Sequence, residues 1–257
     1  MSNEVRIHEF TPSMDLSGAK VVDGFPSVGL VSTIAANYLI DMLRLKQIGV
    51  IDGDQFPSLS VVHNGEPLAP ARIYGGERPV EGTTKKEKIV VFVSEFQPAP
   101  NLVRPISEAM LSWAKKKGAD YLISPEGLVL EGAATEDDVV EVYGIGSTER
   151  IQQLLKANNI APFTRGIITG VSGILLTLGK RERFDVLSIL AEAHANYPDA
   201  RSAAVVIDTI AKLLGMKIDV APLYREAEGF EQQIKQLQQQ AAAKQNRTQT
   251  AQPSMYG

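Results

Sequence analysis

Between residues 47 and 95 the chain carries four β-rich runs, QIGVID (47–52), SLSVVH (58–63), ARIYG (71–75) and KIVVFVSE (88–95), with no helical pattern between them. Parallel neighbours need a crossover of a dozen or more residues, usually a helix, so strands this close in sequence pair antiparallel or meander. A purely parallel, doubly wound sheet is therefore disfavoured. Elsewhere strand-like runs alternate with helical ones: AKVVDGF (19–25), DYLISP (120–125), DVVEVYGI (138–145), RGIITG (165–170) and DVLSILAEA (185–193). That alternation is the pattern of a sheet covered by helices. The expected fold class is α/β, a mixed central sheet flanked by helices.

The helices are set by apolar spacing. Over residues 28–43, Leu30, Val31, Ile34, Ala35, Tyr38, Leu39 and Met42 recur at three and four, one stripe facing a core. Residues 101–117 read likewise, with Pro105 tolerable near the first turn and KKKG supplying a cationic last turn and a glycine stop. A helix over 147–157 starts at Ser147 or Thr148, neither with the Glu that would complete a capping box. A further amphipathic helix spans 199–214 and stops at Gly215.

After APLYREAEGF the pattern turns helical and polar. Phe230, Ile234, Leu237 and Ala241 form a short heptad-like seam in FEQQIKQLQQQA. Fewer than two heptads cannot hold a free coiled coil, so the seam packs on its own domain or on a neighbouring subunit. Phe230, Ile234 and Leu237 are the expected oligomer contact. The map is thus one α/β domain over 1–228, a C-terminal helix over 229–244, and a flexible tail over 245–257. The tail QNRTQTAQPSMYG is rich in Gln, Thr and Asn, as solvated linkers are, and could reach roughly 40 Å when extended.

Composition removes several function classes. A net charge of −4 with no dense Lys/Arg block gives no electrostatic footprint for nucleic acid or anionic lipid. The chain has no cysteine, so disulfides, a thiolate nucleophile and thiolate-ligated metal are excluded, and a cytoplasmic location is expected. MSNEVRIHEF is not a signal peptide and no run of 18 apolar residues occurs, so neither export nor a membrane span is expected.

Two glycine-rich turns follow strands and enter helices: DGFPSVGL (23–30), with Gly24 and Gly29, and ITGVSGILL (168–176), with Gly170 and Gly173. Backbone N–H groups at such a helix start can hold an anion. Neither turn has the dinucleotide fingerprint or a Walker lysine, so tight packing explains the same glycines, and no cofactor is expected. His8, His63 and His194 share no ligand spacing, so no metal is expected. His63 reads either as a strand-end general base or as a surface residue. Glu95 and Glu126, each near a strand end, could form an acid/base pair or simply solubilise loops. A G-x-S-x-G elbow is missing.

The stretches GFPSVGLVSTIAANYLIDML (24–43), PSLSVVHNGEPLAPARIYGGE (57–77), VSEFQPAP, ISEAMLSWAKKKGADYLISPEGL and RGIITGVSGILL together resemble the archaeal proteasome assembly chaperone family (PAC2-like), over about residues 21–223. The resemblance implies a domain related to the purine nucleoside phosphorylase fold with no catalytic constellation. It further implies a homo-oligomer or a pairing with a paralogue, and a role in assembling the 20S proteasome. Under it, Met255, Tyr256 and Gly257 look like the hydrophobic-Tyr-X motif that docks between proteasome α subunits. The carboxylate of Gly257 would pair with a pocket lysine, the Tyr256 ring would pack and hydrogen-bond, and Met255 would add apolar contact. The rival class is a nucleoside phosphorylase-like or other small-molecule enzyme using the glycine turns for an anion. If the seam is the oligomer contact, Ile234→Asp with Leu237→Asp shifts the protein to smaller species in sedimentation velocity; an unchanged distribution places the contact elsewhere.

Overall fold

The computed structural model describes residues 4–129 and 140–229. The strands are β1 (Val5–Glu9), β2 (Lys20–Gly24), β3 (Lys46–Gly53), β4 (Val61–His63), β5 (Glu66–Leu68), β6 (Ala71–Pro79), β7 (Lys86–Ser94), β8 (Tyr121–Val129), β9 (Val142–Gly146), β10 (Ala161–Pro162) and β11 (Val186–Ala193). The helices are α1 (Val31–Met42), entered through a 3-10 turn at Val28–Leu30, then α2 (Pro100–Lys116), α3 (Glu149–Ala157), α4 (Gly170–Glu182) and α5 (Ala200–Leu213).

One sheet has the order β1-β3-β6-β7-β2-β8-β11-β9-β10. Its centre, β7-β2-β8-β11, is parallel. On one side β6, β3 and β1 continue it antiparallel, which is the meander that the crowded 47–95 region requires. On the other side β9 lies antiparallel to β11, and β10 is parallel to β9. The fold is therefore α/β with a mixed sheet, as the strand spacing demands.

The central strands read as unbroken apolar runs because helices cover both faces. In β7, Ile89, Val91 and Val93 join the core beneath α1 and α5, while Val90 and Phe92 join the core beneath α2 and α4. Val22 and Val21 of β2, and Ile123 and Leu122 of β8, divide in the same way. Pro125 in β8 is tolerable because β2–β8 pairing ends at Val22–Ile123, so its missing N–H breaks no ladder bond to β2.

Two helices are fixed by their caps. The Thr148 hydroxyl accepts from Ile151 N at the start of α3, and Asp199 accepts from Ser202 N at the start of α5. Pro105 lies inside α2, one turn past its start.

Several expectations need correction. Residues 165–169 form no strand: Ile167 is 86 % exposed, Gly166 packs on Phe163, and α4 already begins at Gly170. An apolar run that short carries no period to separate strand from loop. The α1 stripe is shorter than its spacing suggests. Leu30 takes a left-handed conformation ahead of the helix and is exposed, as is Met42, so Val31, Ala35, Ala36, Leu39 and Ile40 form the buried face. Strand β1 was not foreseen, although Val5 and Ile7 alternate with polar neighbours and are half-buried. The run 58–63 belongs to a separate two-stranded hairpin, β4–β5, turned at Asn64 and Gly65, both with positive φ.

Residues 221–229 are helical, with Leu223 and Ala227 buried one turn apart. Helical structure thus begins before the boundary drawn at 229. The seam residues Phe230, Ile234 and Leu237, and the terminal Met255, Tyr256 and Gly257, lie outside the described residues.

Leu39 is fully buried between the sheet and α5. Leu39→Ala is expected to cost about 2–5 kcal/mol in urea unfolding, as truncation of a buried leucine does. A cost near zero would show this face of α1 to be unpacked.

Candidate functional site

All four parallel strands point their C-terminal ends to one edge, the usual place for a site in such a sheet. Asp23, near the end of β2, stands among apolar residues and is 1 % exposed. Its Oδ1 accepts from Phe25 N (3.0 Å) and its Oδ2 accepts from Ser124 Oγ of β8 (2.8 Å). Burial raises the carboxyl pKa to about 6, against the lowering effect of these two bonds. Glu126, two residues further along β8, is 7 % exposed. Its Oε1 accepts from Gly127 N (3.2 Å), and the nearby Ser172 hydroxyl and Val28 N–H favour its ionised form. Burial, with the Asp23 charge adding to it, raises its pKa to about 7.

The glycines bring backbones together around this cluster. A Cβ on Gly24 would lie 2.2 Å from Ala36 Cβ and 2.6 Å from the Phe92 carbonyl oxygen, so β2 could not sit so close to α1 and β7. Gly29 has φ +60, and a Cβ on it would lie 2.9 Å from the His194 carbonyl oxygen, where the turn into α1 meets the end of β11. A Cβ on Gly173 would lie 2.2 Å from the Ile168 carbonyl oxygen, and Gly170 has φ +67 with open space where its Cβ would be. Close approach thus accounts for Gly24, Gly29 and Gly173, and a left-handed turn for Gly170.

Glu95 and Glu126 share the edge but not their partners. Glu95 forms a two-pronged pair with the buried Arg72 guanidinium, which also donates to the Ala69 carbonyl at 2.7 Å. The carboxyl acting on Glu126 is Asp23, a residue the sequence reading passed over. A lone carboxylate in an otherwise apolar central strand was the available signal. His63 lies at the exposed end of β4, away from this edge's hydrogen bonds. His194 is placed there: its Nδ1 lies 2.8 Å from Asp199 Oδ2 and its ring stacks on Tyr197. Asp199 also accepts from His194 N and Ser202 N, bonds that outweigh its burial and hold its carboxyl below the usual range. A surface hollow of about 260 Å³ lies beside the edge, lined by Gln55, Pro57, Leu59, Phe96, Gln97, Ala99 and Leu102, and none of the buried carboxyls opens into it. Among the described residues no cluster of three or more His, Asp or Glu could hold a metal.

Residues 21–238 match the PAC2 family. The chain belongs to that family. It is 30 % identical to Pyrococcus furiosus PbaA, an archaeal homolog of proteasome-assembly chaperone, covering 94 % of this chain and 99 % of that one with a TM-score of 0.78. Pyrococcus furiosus PbaB, at 20 % identity, shares the fold with a TM-score of 0.79 over 92 % of this chain and 100 % of that one. An uncharacterized protein of Methanocaldococcus jannaschii is 28 % identical over 220 residues, 86 % of this chain and 85 % of that one. The long mixed sheet is thus the PAC2 architecture.

In this PAC2 protein the glycines are separable by experiment. Gly24→Ala forces backbone apart and is expected to cost about 1–3 kcal/mol or more, whereas Gly170→Ala meets only positive-φ strain of about 1 kcal/mol. Chemical unfolding of both variants checks the order; equal costs would contradict the packing account of Gly24.

Proposed function

We propose that this PAC2 protein is a proteasome assembly chaperone or ATP-independent activator that engages 20S proteasome α subunits through C-terminal Met255-Tyr256-Gly257 tails presented by a homo-oligomer. The observation that carries this is the 30 % identity to PbaA across nearly the whole of both chains, PbaA being a homolog of a proteasome-assembly chaperone. PbaB, which has the same fold, is an archaeal proteasome activator.

The chemistry of the tail fits such docking. Tyrosine joins a large apolar ring to a polar tip, and a terminal carboxylate is a charge-assisted acceptor. One three-residue anchor buries little surface and binds weakly. Several tails on one oligomer raise the effective concentration at the ring, and the polar spacer absorbs any mismatch between the symmetry of the oligomer and that of the ring. Self-association, or pairing with a paralogue, is therefore part of the proposal. No nucleotide is consumed, since the sequence has no P-loop lysine.

The test is binding of purified 20S proteasome by the intact protein, by a variant lacking residues 255–257, and by Tyr256→Ala, with oligomer size checked in each. Both variants are expected to bind about tenfold more weakly or worse, and the isolated C-terminal peptide far more weakly than the oligomer at equal tail concentration. Undiminished binding by both variants would overturn docking through the tail.

A further inference from the structure

Strand β1 is a border of the long sheet, and its register shows which backbone groups it leaves over. Phe10 N donates to the Ile48 carbonyl just beyond the strand (2.7 Å), in step with the pairs that run from Val5–Gly53 to Glu9–Gly49. Hydrogen-bonded and non-hydrogen-bonded pairs alternate along an antiparallel ladder, so Arg6 and His8 turn their backbone groups toward β3. The carbonyl oxygens of Glu4 and His8 do lie on that side, 3.2 Å and 2.6 Å from where Cβ atoms on Gly53 and Gly49 would stand. The N–H and C=O groups of Val5, Ile7 and Glu9 therefore point away from the sheet, and among the described residues no strand takes them.

Side chains sort the same border by face. Val5 and Ile7 are half-buried on the α2 side, where the Glu9 carboxylate accepts from Trp113 Nε1 and Lys117 Nζ, both at 2.7 Å. Arg6 and His8 are exposed on the opposite face, and Arg6 is held by Glu4 at 2.8 Å. Arg6 and Glu9, the charges on the strand itself, are thus each matched within the chain. A second copy approaching this border meets no unpaired like charge from either.

We propose that two copies of this chain join through β1, antiparallel and centred on Ile7, so that their sheets become one across a two-fold axis. In that register Ile7 faces the partner's Ile7 and Val5 faces the partner's Glu9, and every outward N–H and C=O of both strands is paired. The apolar side chain that α2 leaves half open is covered by its own copy. A second copy is the occupant because the outward groups are symmetric about Ile7 and because the far border, β10, is two residues long with a proline. Strand pairing between copies then has β1 on both sides, and it closes as an isologous pair instead of running on as a fibre. The contact is independent of docking by Met255, Tyr256 and Gly257, so either can fail without the other.

The full chain has no cysteine, so an introduced thiol reports its own position alone. In the proposed register, position 6 lies opposite the partner's position 8 in a non-hydrogen-bonded pair, with Cα atoms about 4.5 Å apart and within disulfide reach. Positions 6 and 6, or 8 and 8, stand out of step. Arg6→Cys and His8→Cys, mixed in equal amounts and oxidised, should therefore give several-fold more disulfide-linked dimer than either variant alone. Ile7→Pro removes an outward N–H and no bond to β3, so the folded variant should self-associate about tenfold more weakly or worse in sedimentation equilibrium. A wild type that does not self-associate, undiminished association of Ile7→Pro, or a mixture no richer in linked dimer than the single variants would overturn the proposal and leave the border to a strand of another protein. The cross-linking result decides even if Ile7→Pro fails to fold.

Discussion

Burial of the parallel centre on both faces is the constraint from which the rest follows. Where β7, β2, β8 and β11 are buried they have no wet side, so most buried residues on them are apolar and each buried polar exception must find its partner inside. Ser94, Ser124, Ser188, Asp23 and Glu126 are those exceptions, and each is hydrogen-bonded. Helix pairs α1–α5 and α2–α4 supply the two covers, and the glycines let them come close enough to exclude water. At the edge where the strands stop, the same exclusion leaves two carboxyls without bulk solvent.

Much of this frame was legible because it rests on local pattern. Long apolar runs marked the central strands, the crowded run from 47 to 95 marked the antiparallel wing, and Asp199 and Thr148 sit where helix starts were expected. What escaped was decided by tertiary partners. Strand β1 has only Val5 and Ile7 turned inward, too few for a period to stand out, and its place comes from pairing with β3. The 165–169 run looked like a strand because Ile167 and Ile168 are β-branched, yet it pairs with no strand of the sheet and leads into α4. The hairpin β4–β5 was announced by the Asn64-Gly65 dipeptide, a signal present in the sequence and not used.

The candidate site was half legible. Glu126 and the glycine turns were picked out, and they do meet at one edge. Pairing was the unreadable part: Glu95 is turned to Arg72, and Glu126 shares its environment with Asp23, a residue 103 positions earlier. No spacing rule reaches across such a gap, because the sheet order that brings β2 beside β8 is a property of the whole fold. The proposed docking residues have the opposite character. Met255, Tyr256 and Gly257 are read entirely from local sequence and owe nothing to the sheet.

The two ends of the sheet are unequal. At one end β10 is two residues long and half proline, so it exposes almost no free ladder groups to an incoming strand. At the other, β1 is five residues long with no proline, and its Arg6 and His8 alternate with the half-buried Val5 and Ile7. A foreign β-segment therefore meets a dead end on one flank and a charged, single-strand border on the other. Edge-to-edge pairing through β10 is thus blocked by length and proline, so any strand that extends this sheet has only the β1 border to join.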